Sequence, residues 1–362
     1  MQTCELKTRR VRVMIVEDSL SIRQFLEFVI GNDSRLEIVS SVSNAEQAIK
    51  ELPSTSPDVI SMDIHLPGMN GLEATQRIME EQPTPIVIVT GSLSPQTLHT
   101  SLNALQAGAV AIVEKPVGAS HAEYITLSSR LCTQLAIMSQ VRVIRQRLNK
   151  RHRFLDEPPV PCFVPTTLRR PTVKMIGIVA STGGPRAVQT VLSNLPAEFP
   201  VPVVLVQHIA PSFHNGFVQW LNHTSPLTVV IAGHAQVARP GHVYVAPPEC
   251  HLEVDGMLLL LRHGDPVAAQ RPSGTLLLQS MANTLKQRAL GIVLTGMGDD
   301  GARGLLSIRQ AGGFTIAEDA STAAVYGMPA VAAQLGAVCE PLPLGSISGR
   351  VKQLVHESME VA

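Results

Sequence analysis

Aromatic side chains are scarce in this sequence of 362 residues, of which only 3% are Phe, Tyr or Trp. Apolar residues nevertheless make up 45% of the chain, so its cores must be built from aliphatic side chains. Strands that are buried on both faces of a parallel sheet have this composition, because they consist of continuous aliphatic runs. The scarcity of aromatic residues therefore favours α/β folds with parallel sheets.

An excess of charge of either sign is also missing, since 29 Lys and Arg residues balance 29 Asp and Glu residues. A nucleic-acid-binding domain usually carries a basic face or a basic recognition helix. The second half of the chain contains no helix-turn-helix pattern with such a helix. The sequence therefore predicts no nucleic-acid partner.

Paired cysteines and long apolar runs are missing as well. The five cysteines are odd in number and form no CxxC pair, which indicates free thiols in a reducing compartment and no zinc site. No run approaches the roughly 18 apolar residues that a membrane-spanning helix needs, and the N-terminus is too polar for a signal peptide. We expect a monomeric, cytoplasmic protein without membrane insertion.

Two successions of aliphatic runs and amphipathic segments are present. A helix that becomes basic is predicted over 119–154, and residues 156–174 contain five prolines, which block helix continuation and are typical of a semi-rigid linker. The second succession includes a hairpin over 250–264 with its turn at Asp255 and Gly256. Alternation of strands and helices indicates parallel sheets with helices on both faces.

We therefore predict two α/β domains. Residues 10–126 are expected to form a doubly wound five-stranded parallel domain, and residues 127–172 a helix and a Pro-rich linker. Residues 173–358 are expected to form a second doubly wound α/β domain, with a mostly parallel sheet and an added hairpin. The strand candidates are 11–16, 36–42, 58–63, 85–91 and 109–116, then 174–181, 202–209, 227–233, 242–248, 290–298 and 314–318.

Polar side chains end four strands of the first predicted domain. Glu17 and Asp18 follow the first strand, Asp63 ends the third, Thr90 the fourth and Lys115 the fifth. The carboxyl ends of parallel strands converge on one crevice, where three carboxylates suit a Mg²⁺ ion. Asp63 is then the in-line nucleophile for a phosphoryl group, while Lys115 pairs with one phosphoryl oxygen and Thr90 hydrogen-bonds another.

Residues 10–125 resemble the receiver domain of two-component response regulators. The resemblance rests on the acid pair, the DIHLPGMNG motif that begins at Asp63, Thr90 and the KP motif. It implies Mg²⁺-dependent phosphorylation of Asp63 by a histidine kinase. Receivers usually place an aromatic switch residue three positions before the lysine. This position is Ile112 here, so we expect the signal to travel through a different repacking of side chains.

Ser181 ends the first strand of the second domain, within ASTGGPRAV. It could cap a helix, belong to a phosphate-binding loop or act as a nucleophile. The sequence lacks the GxxxxGK[ST] and GxGxxG patterns of phosphate loops. Gly184 as N-cap and Pro185 as first helical residue leave Ser181 at the strand end. A hydroxyl there is exposed, and the helix N-terminus offers backbone N–H groups to an oxyanion.

A serine nucleophile needs a base, and the base needs a carboxylate on its far nitrogen. His208 ends the next aliphatic strand, and Asp299 and Asp300 follow a later one within VLTGMGDDGARG. From their spacing alone, these residues fit a Ser-His-Asp hydrolase and one alternative equally well. The alternative is that three polar strand ends belong to an ordinary α/β binding domain.

The second half also resembles the catalytic domain of chemotaxis protein-glutamate methylesterases, over roughly 173–355. The matching motifs are ASTGGP, VQHI, GHVYVAPP, RPS, LTGMGDDGARG and YGMP. The resemblance implies Ser181 as nucleophile, His208 as base and Asp300 as the orienting acid. Many members have asparagine where this chain has Asp299, which leaves a choice between two carboxylates.

The same resemblance implies backbone oxyanion donors near Thr182 and Met297, and no cofactor in the catalytic domain. It implies a phosphorylation-activated hydrolase that removes methyl esters from glutamates, and deamidates glutamines, in the cytoplasmic helices of chemoreceptors. The expected partners are these receptors and a chemotaxis-type histidine kinase. The unphosphorylated receiver is expected to pack across the Ser181 cleft. The alternative function is a receiver-controlled, non-catalytic binding module in a two-component pathway.

Overall fold

The computed structural model describes residues 9–91, 95–116, 121–141, 143 and 173–359. In these residues the chain forms two separate parallel sheets with helices packed on them, and a small antiparallel sheet. The predicted Pro-rich linker lies outside the described residues. No helix in the described ranges has both the length and the apolar character that crossing a bilayer requires.

The first sheet has five parallel strands, as the sequence predicts, and their order is β2-β1-β3-β4-β5. The chain winds outward from β1 in one direction to β2 and in the other to β5. This reversal of strand order opens a crevice at the carboxyl ends of β1 and β3. The elements are β1 (Val11–Val16), α1 (Leu20–Gly31), β2 (Leu36–Val42), α2 (Ala45–Thr55), β3 (Val59–Met62), α3 (Gly71–Glu81), β4 (Ile86–Thr90), α4 (Pro95–Gln106), β5 (Ala111–Glu114) and α5 (His121–Met138).

Helix α5 is shorter than the predicted helix over 119–154. Its buried residues Leu131, Leu135 and Met138 pack on the first sheet. After Met138 the backbone turns, with the Gln140 N–H donating to the carbonyl of Ile137, three residues earlier. Such tighter hydrogen bonds are typical of a helix end. Helix α5 therefore ends before the basic part of the predicted helix, most of which lies outside the described residues.

The second sheet has seven strands in the order β15-β14-β13-β6-β7-β10-β8, and all its pairs are parallel. The predicted hairpin is confirmed, but its turn lies at Gly256 and Met257, one residue later than predicted, because Asp255 still pairs with Leu258. The hairpin also pairs with β9 in a separate antiparallel sheet. The short strands β9 and β15 were not predicted. The elements are β6 (Met175–Ala180), α6 (Gly184–Ser193), β7 (Val203–Gln207), α7 (Pro211–Thr224), β8 (Thr228–Ile231), β9 (Gln236–Val237), β10 (His242–Val245), β11 (His251–Asp255), β12 (Leu258–Arg262), α8 (Gly274–Leu285), β13 (Ala289–Val293), α9 (Ala302–Gln310), β14 (Phe314–Glu318), α10 (Met328–Gln334), β15 (Glu340–Leu342) and α11 (Leu344–Met359).

Glycine allows α8 to lie close to the centre of the second sheet. A Cβ atom at Gly177 on β6 would lie 2.6 Å from the sulfur of Met281 on α8. At the start of α8, a Cβ atom at Gly274 would lie within 2.2 Å of a methyl carbon of Val179. Because both positions are glycine and carry no Cβ atom, the N-terminus of α8 can lie against the carboxyl end of β6.

The two α/β domains contact each other through helices. Helix α4 of the first domain packs against α7 of the second. The indole N–H of Trp220 on α7 donates a hydrogen bond to Oδ1 of Asn103 on α4, at 3.2 Å. The hydroxyl of Ser212, also on α7, donates to Oε2 of Glu114 at the end of β5, at 3.0 Å. Glu114, which precedes Lys115, is thus hydrogen-bonded to the second domain.

Candidate active site

The first-domain crevice brings together the charged residues that the sequence predicts. Lys115 Nζ lies 2.7 Å from Glu17 Oε2 and 3.0 Å from Asp63 Oδ2. These three side chains are buried, whereas Asp18 is exposed. Carboxylate oxygens of Glu17, Asp18 and Asp63 lie within 4.8 Å of one another. This spacing and donor chemistry fit a hard divalent cation such as Mg²⁺.

The environment of this cluster leaves its negative charge poorly compensated. Burial raises the pKa of Glu17, the hydrogen bond from Lys115 lowers it, and the Asp63 carboxylate raises it again, so that the net direction is upward. Thr90 is fully buried, and its hydroxyl has no hydrogen-bond partner among the described residues. A bound cation would relieve the repulsion between the carboxylates.

Ser181 lies where the sequence places it, directly after β6. Its backbone N–H donates to the carbonyl of Thr295 at 3.0 Å, and its own carbonyl accepts from the Gly184 N–H at 2.8 Å. Gly183, with φ of 76°, is the N-cap of α6, and Gly184 is already helical. The prediction that Gly184 is the N-cap was wrong by one residue, because the left-handed turn that starts the helix falls at Gly183.

His208 follows β7, which pairs in parallel with β6, and its backbone N–H donates to the carbonyl of Ala180 at 2.9 Å. Its imidazole Nε2 hydrogen-bonds Oδ2 of Asp300 at 2.8 Å. The second ring nitrogen, Nδ1, is buried and has no hydrogen-bond partner in the described part of the chain. The histidine therefore has one nitrogen held by a carboxylate and one nitrogen free to accept a proton.

Asp300, in the loop after β13, is 2% exposed and contacts the N-terminus of α8. It accepts hydrogen bonds from the Ser273 hydroxyl at 2.7 Å, the Gly274 N–H at 2.6 Å and the Thr275 N–H at 2.9 Å. Burial alone would raise the pKa of Asp300, but the hydrogen bonds from His208 and Ser273 outweigh it and the pKa is lowered. Asp299 is exposed. Of the two acids that the sequence left open, Asp300 is the one that contacts His208.

Thr182 and Met297 line the same cavity of about 600 Å³ as Ser181 and His208. The segment that carries Met297 runs directly beside the serine, since a Cβ atom at Gly296 would lie 2.7 Å from Ser181 Cβ. The segments of Thr182 and Met297, from which oxyanion donors are expected, therefore both border the cavity next to Ser181.

The first domain also lines this cavity. Ile112, Glu114 and Arg130 of the first domain are among the residues that border it. The residue at the switch position, Ile112, is therefore part of the boundary of the shared cavity. A movement of β5 or α4 would change the shape of the cavity that contains Ser181.

Sequence reasoning missed three residues of this region. Gln207, the last residue of β7, donates from Nε2 to the carbonyls of both Ser181 and His208, at 2.8 and 3.0 Å. Ser273 supports Asp300, and Glu318 accepts a hydrogen bond from the Thr295 backbone at 2.9 Å. Gln207 and Glu318 are polar residues at the ends of aliphatic strands. The signal that identified Ser181 and His208 would have identified these two as well.

Comparison with known proteins identifies both halves of the chain. A family model described as CheB methylesterase matches residues 176–351, and one described as response regulator receiver domain matches residues 13–124. The chain is 48% identical to protein-glutamate methylesterase/protein-glutamine glutaminase 2 of Paramagnetospirillum magneticum, over 96% of this chain and 98% of that relative. It is 39% identical to protein-glutamate methylesterase/protein-glutamine glutaminase 4 of Geobacter metallireducens, over 96% of this chain and 99% of the relative.

A solved structure, the Thermotoga maritima CheB methylesterase catalytic domain, is 35% identical, with a TM-score of 0.48, and covers 51% of this chain and 98% of its own. The relatives with near-complete coverage bear the names of hydrolases, which supports the enzyme interpretation over that of a non-catalytic binding module. The chain belongs to the protein-glutamate methylesterase/protein-glutamine glutaminase family, and it joins a response regulator receiver domain to a CheB methylesterase domain.

Proposed function

We propose that this chain hydrolyses the methyl esters of glutamate side chains, with Ser181 as nucleophile, His208 as general base and Asp300 as the acid that orients the base. The observation that carries the proposal is the His208 imidazole. Asp300 holds its Nε2 at 2.8 Å, while its Nδ1 is buried without a hydrogen-bond partner in the described residues. An imidazole held by a carboxylate at one nitrogen is suited to accept the serine proton at the other.

In the first half of the reaction, Nδ1 of His208 takes the Ser181 proton as the hydroxyl oxygen attacks the ester carbonyl carbon. The imidazolium is stabilised by the Asp300 carboxylate, whose negative form is favoured by its lowered pKa. When the tetrahedral intermediate collapses, the C–O bond to the methoxy group breaks. His208 returns the proton, so that methanol leaves.

In the second half, His208 removes a proton from water, whose oxygen attacks the acyl-enzyme. The bond from the acyl carbon to the Ser181 oxygen then breaks, and His208 returns the proton to that oxygen, which releases the glutamate and free Ser181. The backbone N–H groups of Thr182 and Met297 are proposed to bind the oxyanion in both halves. Their support is that both segments border the cavity beside Ser181, one of them directly before the N-terminus of α6. The same steps on a glutamine side chain release ammonia in place of methanol.

The proposed substrates are methylated glutamates, and glutamines, in the cytoplasmic helices of chemoreceptors, as the names of the relatives and the family indicate. We place the protein in the cytoplasm, as a monomer. The free thiols of Cys132, Cys250 and Cys339 are in keeping with a reducing compartment.

The experiment that tests the proposal measures methanol release from a methylated receptor fragment, together with mass spectrometry after treatment with a serine-directed phosphonate. We expect the wild-type chain to release methanol and to be labelled at Ser181. Ser181→Ala and His208→Ala should each reduce turnover by on the order of 10⁶-fold. Release of methanol by Ser181→Ala at the wild-type rate would refute the assignment.

We also propose that Asp63 receives a phosphoryl group from a histidine kinase. The P–N bond of the kinase phosphohistidine breaks, and a P–O bond forms to the Asp63 carboxylate. Glu17, Asp18 and Asp63 would hold Mg²⁺, which supplies charge neutralisation for the phosphoryl group. Lys115 is placed to pair with a phosphoryl oxygen, and the unpaired Thr90 hydroxyl is available to donate to another.

Phosphorylation is proposed to activate the hydrolase by loosening the contact between the domains. The support is that Glu114, next to Lys115, is bonded to Ser212 of α7, and that the first domain borders the Ser181 cavity. We propose residues 10–126 and 173–358 as the two functional domains, with residues 127–172, which begin inside α5, joining them. Limited proteolysis with and without an acyl phosphate donor tests this division, since cleavage is expected within 127–172.

A further inference from the structure

Glu318 is a buried carboxyl group in the second domain that the hydrolytic steps do not use. It is the last residue of β14 and only 1% of its surface is exposed. Its Oε2 atom accepts a hydrogen bond from the backbone N–H of Thr295, at 2.9 Å. A carboxyl group in such a position is costly to bury, which indicates that its contact with Thr295 matters.

Thr295, which Glu318 holds, contacts the nucleophile loop at two points. Its carbonyl accepts from the Ser181 backbone N–H at 3.0 Å. Its hydroxyl donates to the carbonyl of Thr182 at 2.9 Å, and accepts from the Val325 N–H at 2.8 Å. A single residue thus fixes the backbone on both sides of the Ser181 side chain.

The same residue begins the segment that borders the serine from the other side. Gly296 follows Thr295; its N–H donates to the carbonyl of Val325 at 3.1 Å, and its carbonyl accepts from the Met328 N–H at 2.8 Å. The next residue is Met297. A shift of Thr295 would therefore move the nucleophile and the segment of Met297 together.

We propose that Glu318 is a positioning residue for ester hydrolysis, which holds Thr295 and, through it, the backbone of Ser181 and Thr182. This inference rests on the proposed role of Ser181 as the nucleophile. Without an acceptor, the buried Thr295 N–H would be left unsatisfied, which is unfavourable, and the segment would shift to find another partner. A displacement of about 1 Å at a reacting group can cost on the order of 10²-fold in rate.

The contact does not depend on the charge of Glu318. Burial raises the pKa of Glu318 to about 7, although the hydrogen bond from Thr295 opposes this increase. Near neutral pH the group is therefore present in both protonation states. A carboxylate and a neutral carboxylic acid both keep an oxygen acceptor for the Thr295 N–H. The carbonyl oxygen of a glutamine side chain would do the same.

The test compares Glu318→Met, which removes the acceptor, with Glu318→Gln, which retains it. A matched control is Thr315→Val on the same strand. Thr315 is also fully buried, but its hydroxyl donates to the carbonyl of Ala337, on the side away from Ser181. Each full-length variant is assayed with an acyl phosphate donor for kcat and KM, and for the rate at which a phosphonate labels Ser181.

We expect Glu318→Met to lower kcat and the labelling rate by about 10- to 100-fold with KM within about 2-fold of the wild-type value. Glu318→Gln should restore both rates to within about 3-fold, and Thr315→Val should stay within about 2-fold despite its lost hydrogen bonds. A folded Glu318→Met variant with full kcat, or an equal loss in Thr315→Val, would overturn the inference.

If Glu318→Met does not fold, Thr295→Val carries the test. It removes the hydroxyl contacts to Thr182 and Val325 and keeps the volume of the side chain. We expect the same kcat loss at constant KM, and unchanged kinetics would overturn the inference. Failure of the wild-type chain to label at Ser181 would instead contradict the proposed nucleophile, so the two failures are distinguishable.

Discussion

The phosphoacceptor crevice and the hydrolytic cleft both lie at the carboxyl ends of parallel strands, but they hold their carboxylates differently. In the receiver, Glu17 and Asp63 share a single ammonium group, and the buried Thr90 hydroxyl lacks a partner among the residues described. In the hydrolytic domain, Asp300 accepts four hydrogen bonds, one each from His208, Ser273, Gly274 and Thr275. The pKa of Glu17 is raised, whereas the pKa of Asp300 is lowered.

This difference in hydrogen bonding suits the two sites to different roles: the receiver crevice to a change of conformation, and the site of Asp300 to a constant geometry. Unsatisfied groups around Asp63 can gain interactions when a cation and a phosphoryl group arrive, and this differential interaction can shift a conformational equilibrium. Asp300 has little left to gain, because backbone N–H groups at a helix N-terminus already satisfy it. Such preorganised groups stabilise charge that develops during a reaction without further rearrangement.

Within this comparison of carboxylates, the largest expected effect comes from removing the negative charge of Asp300. Asp300→Asn should lower kcat for methanol release by on the order of 10⁴-fold, because an amide in place of the carboxylate favours the wrong tautomer of His208 and cannot stabilise its imidazolium. Asp299→Asn is the matched control, since Asp299 is exposed and next in sequence. We expect its kcat to stay within about 2-fold of wild type. A larger loss in Asp299→Asn than in Asp300→Asn would reverse the assignment.

The second prediction concerns Glu318, the buried acid of the hydrolytic domain that resembles Glu17 in having a raised pKa. The pKa rises from 4.5 in the unfolded chain to about 7 in the folded one, through burial and then the Asp319 charge. The folded state thus binds the proton more tightly, so stability falls as pH increases from about 4.5 to 7 and is constant above. The total loss is about 3–4 kcal/mol.

Glu318→Gln cannot ionise and should lack this loss. In calorimetry of the hydrolytic domain's transition, the melting temperature of the variant relative to wild type should increase between about pH 4.5 and 7 and then level off. Thr315→Val serves again as control, because its difference from wild type should not vary with pH. A parallel shift of the Glu318→Gln and wild-type curves across this range would contradict the assignment of a raised pKa to Glu318.

The third prediction tests the receiver crevice, through Asp63. Asp63→Asn should keep basal esterase activity, because Asp63 lies in the receiver crevice, away from Ser181, but should lose stimulation by the kinase. The lost stimulation is expected to be about 5- to 150-fold, the usual range of coupling between two sites. Methanol release is measured with and without the phosphorylated kinase. Stimulation that persists in the variant would show that the receiver does not act through this carboxylate.

Much of both sites could be predicted from the sequence, because polar residues at the ends of aliphatic strands converge once the sheets are parallel. This rule placed Ser181 beside His208, and Asp63 beside Lys115. It could not choose between Asp299 and Asp300, since adjacent residues differ only in the direction of their side chains. The N-terminus of α8 decides between them, because its backbone N–H groups bind Asp300. No residue near Asp300 in the sequence indicates this contact. The end of α5 at Met138 was also missed, and Val141 and Val143 beyond it still pack against the core of the first domain.

The smallest expected effect lies where the two regions meet. Ser212 donates to the Glu114 carboxylate at the N-terminus of α7, where the helix dipole also favours a negative charge. Ser212→Ala removes one hydrogen bond, worth about 0.5–1.5 kcal/mol, from the contact that holds the receiver against the hydrolytic domain. We expect the unphosphorylated chain to become about 2- to 10-fold more active, and the chain treated with an acyl phosphate donor to be unchanged.

Ser307→Ala is the matched control for this last change, because the Ser307 hydroxyl donates only within α9, to the carbonyl of Arg303 at 3.1 Å. It should leave both activities at the wild-type level. An equal gain with and without the donor in Ser212→Ala would place the effect in the hydrolytic site rather than in the interface. A gain confined to the unphosphorylated chain would indicate that the receiver inhibits by covering the site of Ser181, His208 and Asp300. The geometry of that site would then be the same in both states.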